Sequence, residues 1–247
     1  MKKSGGWVRL AVLAQRIINI RTLLIYIAAF VVLRVLIGNM CFCDAFGGFP
    51  VEKGYGLPFE KIMAWNICIL PPIAVGMIYT DEELGRPGIY TMVRSVYMKK
   101  WWSLRWITLA VADVLYVVFI IAMDMLWCDR EHGCGEYGTF ALTFFAHIFV
   151  ITVLTVCVLV VFKSLKAALL VYGLVEIFST AAGCTNEGLS NVLLPFWGMV
   201  NYKNGWNMGE LEYRLGTCGI SLVIAAAAML LVKKFGREKI IAYIKSR

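Results

Sequence analysis

Residues Thr139–Phe162 read TFALTFFAHIFVITVLTVCVLVVF, with no Asp, Glu, Lys or Arg along the whole stretch. As a helix rising 1.5 Å per residue this run is about 36 Å long, enough to cross a hydrocarbon core of ~30 Å. It has no polar face, which a core helix of that length in a soluble domain would need to meet water. Five further apolar runs follow the same pattern, at about Thr22–Met40, Ile62–Tyr79, Trp106–Trp127, Ala167–Gly183 and Thr217–Val232, each ending at charges, Gly or Pro. The composition agrees: 60% hydrophobic and 16% charged residues, with a mean hydropathy of +0.75, lie outside the range of soluble globular domains. The expected fold is an all-α, polytopic membrane protein with six transmembrane helices. A chain of 247 residues accommodates that and no second soluble domain.

The net charge of +8 does not mark a nucleic-acid binder, because the basic residues form short clusters beside apolar runs and no single patch. They report orientation instead. Of the 24 Lys and Arg, 18 fall on one side of the six runs, five on the other (Lys53, Lys61, Arg130, Lys203 and Arg214), and Arg34 lies within a run. The positive-inside rule puts the richer side, with both chain ends, in the cytoplasm: N-in and C-in, a multi-pass protein of a cell membrane, most simply a bacterial plasma membrane. The first apolar run is followed by no small-residue cleavage site, so no removable signal peptide is expected.

Outside the spans three segments stand out. Residues 1–21 contain Trp7–Ile20, apolar but punctuated by Arg9, Gln15, Arg16 and Asn19, and read as an amphipathic helix lying on the inner leaflet. The basic tail Lys233–Arg247 suits the anionic inner surface, or serves as plain orientation charge. Residues 184–216 are too apolar for an ordinary outer loop. The run from Val192 to Trp197, followed by Trp206, favours short re-entrant or interfacial helices.

Several chemistries lack their parts. No GxxxxGK[ST] loop is present to cradle a nucleotide, so no cofactor is expected on this chain, and any ATP and Mg would bind a partner subunit. No HExxH or GxSxG occurs, and His132 and His147 are the only histidines. Asp81-Glu82-Glu83-Leu84-Gly85-Arg86 approaches the EExxxR signature of CAAX-type intramembrane proteases. Such an enzyme needs further membrane histidines, and Phe144-Phe145-Ala146-His147 has the wrong spacing.

The connection between the second and third runs, residues 80–105, is the most informative cytoplasmic segment. Acidic residues, a Gly-Arg-Pro-Gly break, an Arg-Ser pair and a basic-aromatic re-entry follow one another, as in either a docking element for a partner or an inner-leaflet anchor. This order, with the six-run layout, resembles the permease subunits of type-2 ABC exporters, in particular the small ones of antimicrobial-peptide (lantibiotic and bacteriocin) immunity and export. In that family a Glu and Gly after the second span precede an Arg-Ser or Ser-Arg pair, a Trp pair and a basic residue; Glu83, Gly85, Arg94, Ser95, Trp101 and Trp102 stand in that order here. An N-terminal interfacial helix and an apolar outer segment before the last span are family features as well. The resemblance implies a single permease domain over residues 1–247 that pairs with a second permease subunit, homo- or heteromeric. It also implies docking of a cytoplasmic ATPase subunit, with Glu82, Glu83, Gly85, Arg94 and Ser95 as coupling residues. The alternatives are the CAAX-type enzyme and a sensor or accessory subunit that transports nothing.

Charges within the membrane are expensive, roughly 2.5–3.5 kcal/mol each at mid-helix on insertion scales, so Arg34, Asp113, Asp124, His147 and Glu176 require explanation. Rise per residue places Arg34 and Glu176 at depths where they could meet, as part of a substrate pathway or as an interhelical ion pair. Pro71-Pro72 removes two backbone donors from the second span and predicts a kink. Cys41, Cys43, Cys128, Cys134, Cys184 and Cys218 fall on the outer side, an even number that suits disulfides involving Cys41, Cys43, Cys128 or Cys134. Free thiols, or a zinc site from Cys41, Cys43, His132 and Cys134, are the other readings. The outer connections carry nine acidic residues against five basic ones, which favours a cationic peptide as substrate.

Overall fold

The computed structural model describes residues 19–37, 59–84, 98–127, 134–199 and 209–245, all of them helices and short connections. Helix α1 spans Ile20–Ile37, α2 Phe59–Leu84, α3 Met98–Trp127 and α4 Cys134–Phe162. Next comes a rod made of α5 (Leu165–Tyr172), a π-helical stretch (Gly173–Phe178) and α6 (Ser179–Thr185). Two short helices, α7 (Glu187–Ser190) and α8 (Leu194–Gly198), precede the long α9 (Glu210–Lys245). Among the described residues five helices are long and apolar enough to cross a membrane: Phe59–Leu84, Trp102–Leu126, Tyr137–Phe162, Leu165–Thr185 and Glu210–Lys234. The first expected run is helical over Ile20–Ile37, and its outer end lies outside the described residues.

Helix α4 is the hub. It packs against α2, α3, α5, α8 and α9, and 72% of its spanning window is buried, against 28% for the α5–α6 rod. α1 lies on α2 and reaches α3 through rings, Tyr26 against Tyr116 at 4.7 Å and Phe30 against Phe119 at 6.3 Å. The distribution of polarity is the reverse of a soluble protein's. Asp113, Asp124, His147, Glu176 and Thr180 are at most 1% exposed, while Val35, Leu126 and Val223 are 79, 72 and 68% exposed. Lipid is the solvent such a surface fits, since polar groups in a bilayer must be satisfied inside the bundle. The chain is a polytopic membrane protein by the composition of its helices.

Local sequence sets the joints. α4 stops at Phe162, Lys163 turns the chain with a φ of 51°, and the Ser164 hydroxyl caps α5 by accepting from the Ala167 amide at 3.2 Å. In α2, Pro71 and Pro72 sit inside one continuous helix. Proline at 72 leaves the Cys68 carbonyl without its usual intrahelical donor, and the Tyr116 hydroxyl of α3 donates to that oxygen at 2.5 Å. The last helix continues unbroken through the basic tail to Lys245. Residues 184–199 contain two short helices, and residues 200–208 of the apolar outer segment lie outside the described part.

Candidate functional site

Two polar centres lie inside this bundle. The first joins the ends of α2 and α3 that flank residues 85–97. The Arg105 guanidinium on α3 donates to Glu83 and to the Tyr79 hydroxyl on α2, with its central carbon 5.2 Å from the centre of the Tyr79 ring. Both charged side chains are almost buried, at 10% and 8% exposure, and Trp102 stacks on Trp106 beside them. Consecutive on α2 and so about 100° apart around its axis, Glu82 and Glu83 have different environments. Glu82 is solvent-facing and 3.8 Å from the exposed Arg21, whereas Glu83 points inward. Glu83, which the sequence offers as a coupling charge, is paired with Arg105 of its own chain. Gly85, Arg94 and Ser95, the other coupling residues expected from the sequence, lie outside the described residues.

The second centre lies midway along α4. His147 Nε2 is 3.2 Å from Glu176 Oε1, with side-chain exposures of 1% and 0%. The distance is that of an ion pair, but the atoms are not aligned as a hydrogen bond: neither ring nitrogen of His147 and neither oxygen of Glu176 has a hydrogen-bond partner among the described residues. Glu176 occupies the π-helical stretch, where an i→i+5 pattern widens the turn, and its carbonyl accepts from the Thr180 hydroxyl at 2.5 Å. On the α2 side the Trp65 ring lies 5.6 Å from the imidazole, and Asn66 accepts from the Tyr172 hydroxyl at 3.1 Å. Helix α8 closes the centre from above. A Cβ placed on Gly198 would overlap the His147 ring, and one on Gly183 would overlap the Phe196 ring. Only glycine at these two positions permits such an approach.

The remaining expectations are distributed as follows. Arg34 is half-buried, and no ion pair joins it to Glu176 among the described residues; Glu176 faces His147 instead. Asp113 is buried with no hydrogen-bond partner on Oδ2 among the described residues, and Asp124 accepts from Tyr137 at 3.0 Å. Cys184 and Cys218 are free thiols, and neither is among the four disulfide candidates, Cys41, Cys43, Cys128 and Cys134. Cys41, Cys43 and Cys128 lie outside the described residues, and of Cys134 only the backbone is described. No group of three or more metal-binding side chains occurs among the described residues. The roles of Arg105, Trp65, Tyr116, Gly183 and Gly198 were not legible in the sequence. The one available signal was Pro72, which demands a donor from a neighbouring helix.

Comparison of the chain with protein-family models, with curated proteins and with solved structures found no match.

Proposed function

We propose that this chain is the transmembrane subunit of an ATP-driven exporter that moves or clears an amphipathic, cationic peptide, with ATP hydrolysis supplied by a separate subunit. The observation that carries this reading is the Glu83–Arg105–Tyr79 clasp. A cytoplasmic segment that passes force from an ATPase to the spans must be anchored rigidly at both ends. The clasp ties the two helices from which residues 85–97 hang, so that displacement of the segment turns α2 and α3 together. Exposed Glu82 beside this anchor is available to a partner's surface. The short helices α7 and α8 before the last span, with Pro195, Phe196 and Gly198 of α8 buried, add support, as does the resemblance in residues 80–105. In this reading α1 is the first of six spans, and both chain ends are cytoplasmic.

The protease-like alternative requires the acidic run and a membrane histidine at one centre. Trp65 touches His147, and Glu83 lies 18 residues further along the same helix, about 27 Å at 1.5 Å per residue. That separation favours transport over metal-assisted hydrolysis.

The test is mild purification of the tagged chain from its native membranes. Recovery of an ATPase whose turnover rises with a cationic amphipathic peptide is the expected result. A chain that brings down no ATPase, with or without cross-linking, would leave a sensor or accessory role as the better account.

A further inference from the structure

Five buried polar atoms lie together in the middle of the bundle with no hydrogen-bond partner among the described residues. They are Nδ1 and Nε2 of His147, the two oxygens of Glu176 and the indole Nε1 of Trp65. Polar groups left in this state ask for a bound species or a change of state to account for them. Helix α8, which covers them, consists of Leu194, Pro195, Phe196, Trp197 and Gly198, and offers no charged side chain. The contact of Gly198 with the imidazole leaves no room there even for a methyl group. On that side of the ring the closed bundle admits no added group, and the species this pair can carry there is a proton.

We propose that His147 and Glu176 form a proton-binding site, which keeps one proton while α8 is closed over it and exchanges that proton with the outer compartment when α8 moves away. A carboxylate alone in a dry interior is far costlier than a neutral pair, and His147 is the basic group at 3.2 Å from it. The Trp65 ring beside the imidazole favours placing the positive charge there. On opening, the proton passes from the imidazolium to a water molecule, leaving a neutral imidazole and a hydrated carboxylate; closing reverses the step. The elements packed around the pair bring little competing charge. α2 supplies Trp65 and Asn66, α5 supplies Tyr172, and α6 supplies Thr180. On α9 the buried Arg214 is already held by Glu210 at 2.8 Å, beside Tyr213 and Cys218. On α3, Asp124 is engaged with Tyr137 toward one end of α4, and Asp113 lies beside Thr152, five residues past His147.

The chain has two histidines, so His132→Gln leaves His147 as its sole imidazole. The full-length His132→Gln protein, labelled with 15N-histidine and reconstituted in lipid vesicles, reports the charge of that ring by nitrogen NMR at neutral pH. An imidazolium is expected in this parent and in Glu176→Asp, and a neutral ring in Glu176→Gln. Exchange of the ring N–H with D2O is expected to speed up about tenfold or more in Gly198→Ala, whose methyl forces α8 outward. A neutral ring in the parent would overturn the proposal, as would an imidazolium unchanged by Glu176→Gln, or ring exchange in the parent as fast as in Gly198→Ala. If Glu176→Gln does not fold, the parent, Glu176→Asp and Gly198→Ala still decide. No ATPase enters this measurement, so its outcome is separate from that of the transport reading.

Discussion

Tyr116 on α3 makes the hydrogen bond that Pro72 on α2 cannot: its hydroxyl donates at 2.5 Å to the carbonyl of Cys68, four residues before the proline. Both groups are buried, where an unsatisfied carbonyl costs about 1–3 kcal/mol. Tyr116→Phe is therefore expected to lower stability by about that amount, and the loss should shrink when Pro72→Ala restores the backbone donor. Unfolding of the four proteins in a mixed-micelle denaturant series gives the coupling. Equal losses in both backgrounds would mean that the hydroxyl does not replace the missing bond.

Glu82 and Glu83 are neighbours that should respond oppositely. Removing the Glu83 carboxylate takes the countercharge from the Arg105 guanidinium beside Trp102 and Trp106, and breaking a buried pair in this way costs about 3–5 kcal/mol. Glu82, 63% exposed, should tolerate Ala within about 0.5 kcal/mol. Under the proposed transport function, Glu82→Lys is then expected to release a docked ATPase from a folded chain, whereas Glu83→Ala unfolds the clasp first. Melting curves read alongside the amount of co-purified ATPase separate the two, and a stable Glu83→Ala would show that the clasp contributes little.

A methyl group at residue 183 has no room beside Phe196. Gly183→Ala should cost about 1–3 kcal/mol by overpacking, and much less in a Phe196→Ala background, because the ring is what it meets. Gly216 on α9 is the contrast, with nothing within 4 Å of its added Cβ. Gly216→Ala should stabilise by about 0.5–1 kcal/mol through helix propensity. A loss at residue 216 instead would mean that another backbone, such as that of a second copy of this chain, packs on that face.

Cys184 and Cys218 are free, so alkylation of the protein denatured without reductant should label both, along with Cys68 and Cys157. Any disulfide must then be drawn from Cys41, Cys43, Cys128 and Cys134, and non-reduced peptide mapping is expected to show at least one. Full labelling of all eight cysteines would exclude it.

The apolar runs and the asymmetry of Lys and Arg could be read directly from the chain, because a bilayer imposes thickness and surface charge as one-dimensional limits on a sequence. Thr139–Phe162 needed no partner to declare itself a helix, and Pro195, Phe196 and Trp197 marked a stretch too apolar for an ordinary loop. Where each helix faces was not legible. α4 is apolar all round, so no polar stripe marks which side meets a neighbour, and the rotation of each helix about its axis is set by packing alone. Depth along the membrane made Arg34 and Glu176 a plausible pair; rotation and the π-helical turn gave Glu176 to His147. In the same way the chain listed Glu83 among cytoplasmic charges, and only the approach of α3 to α2 turned it inward onto Arg105. Lengths and charges along a chain are local quantities, whereas a buried polar group's partner is chosen by which helices close around it.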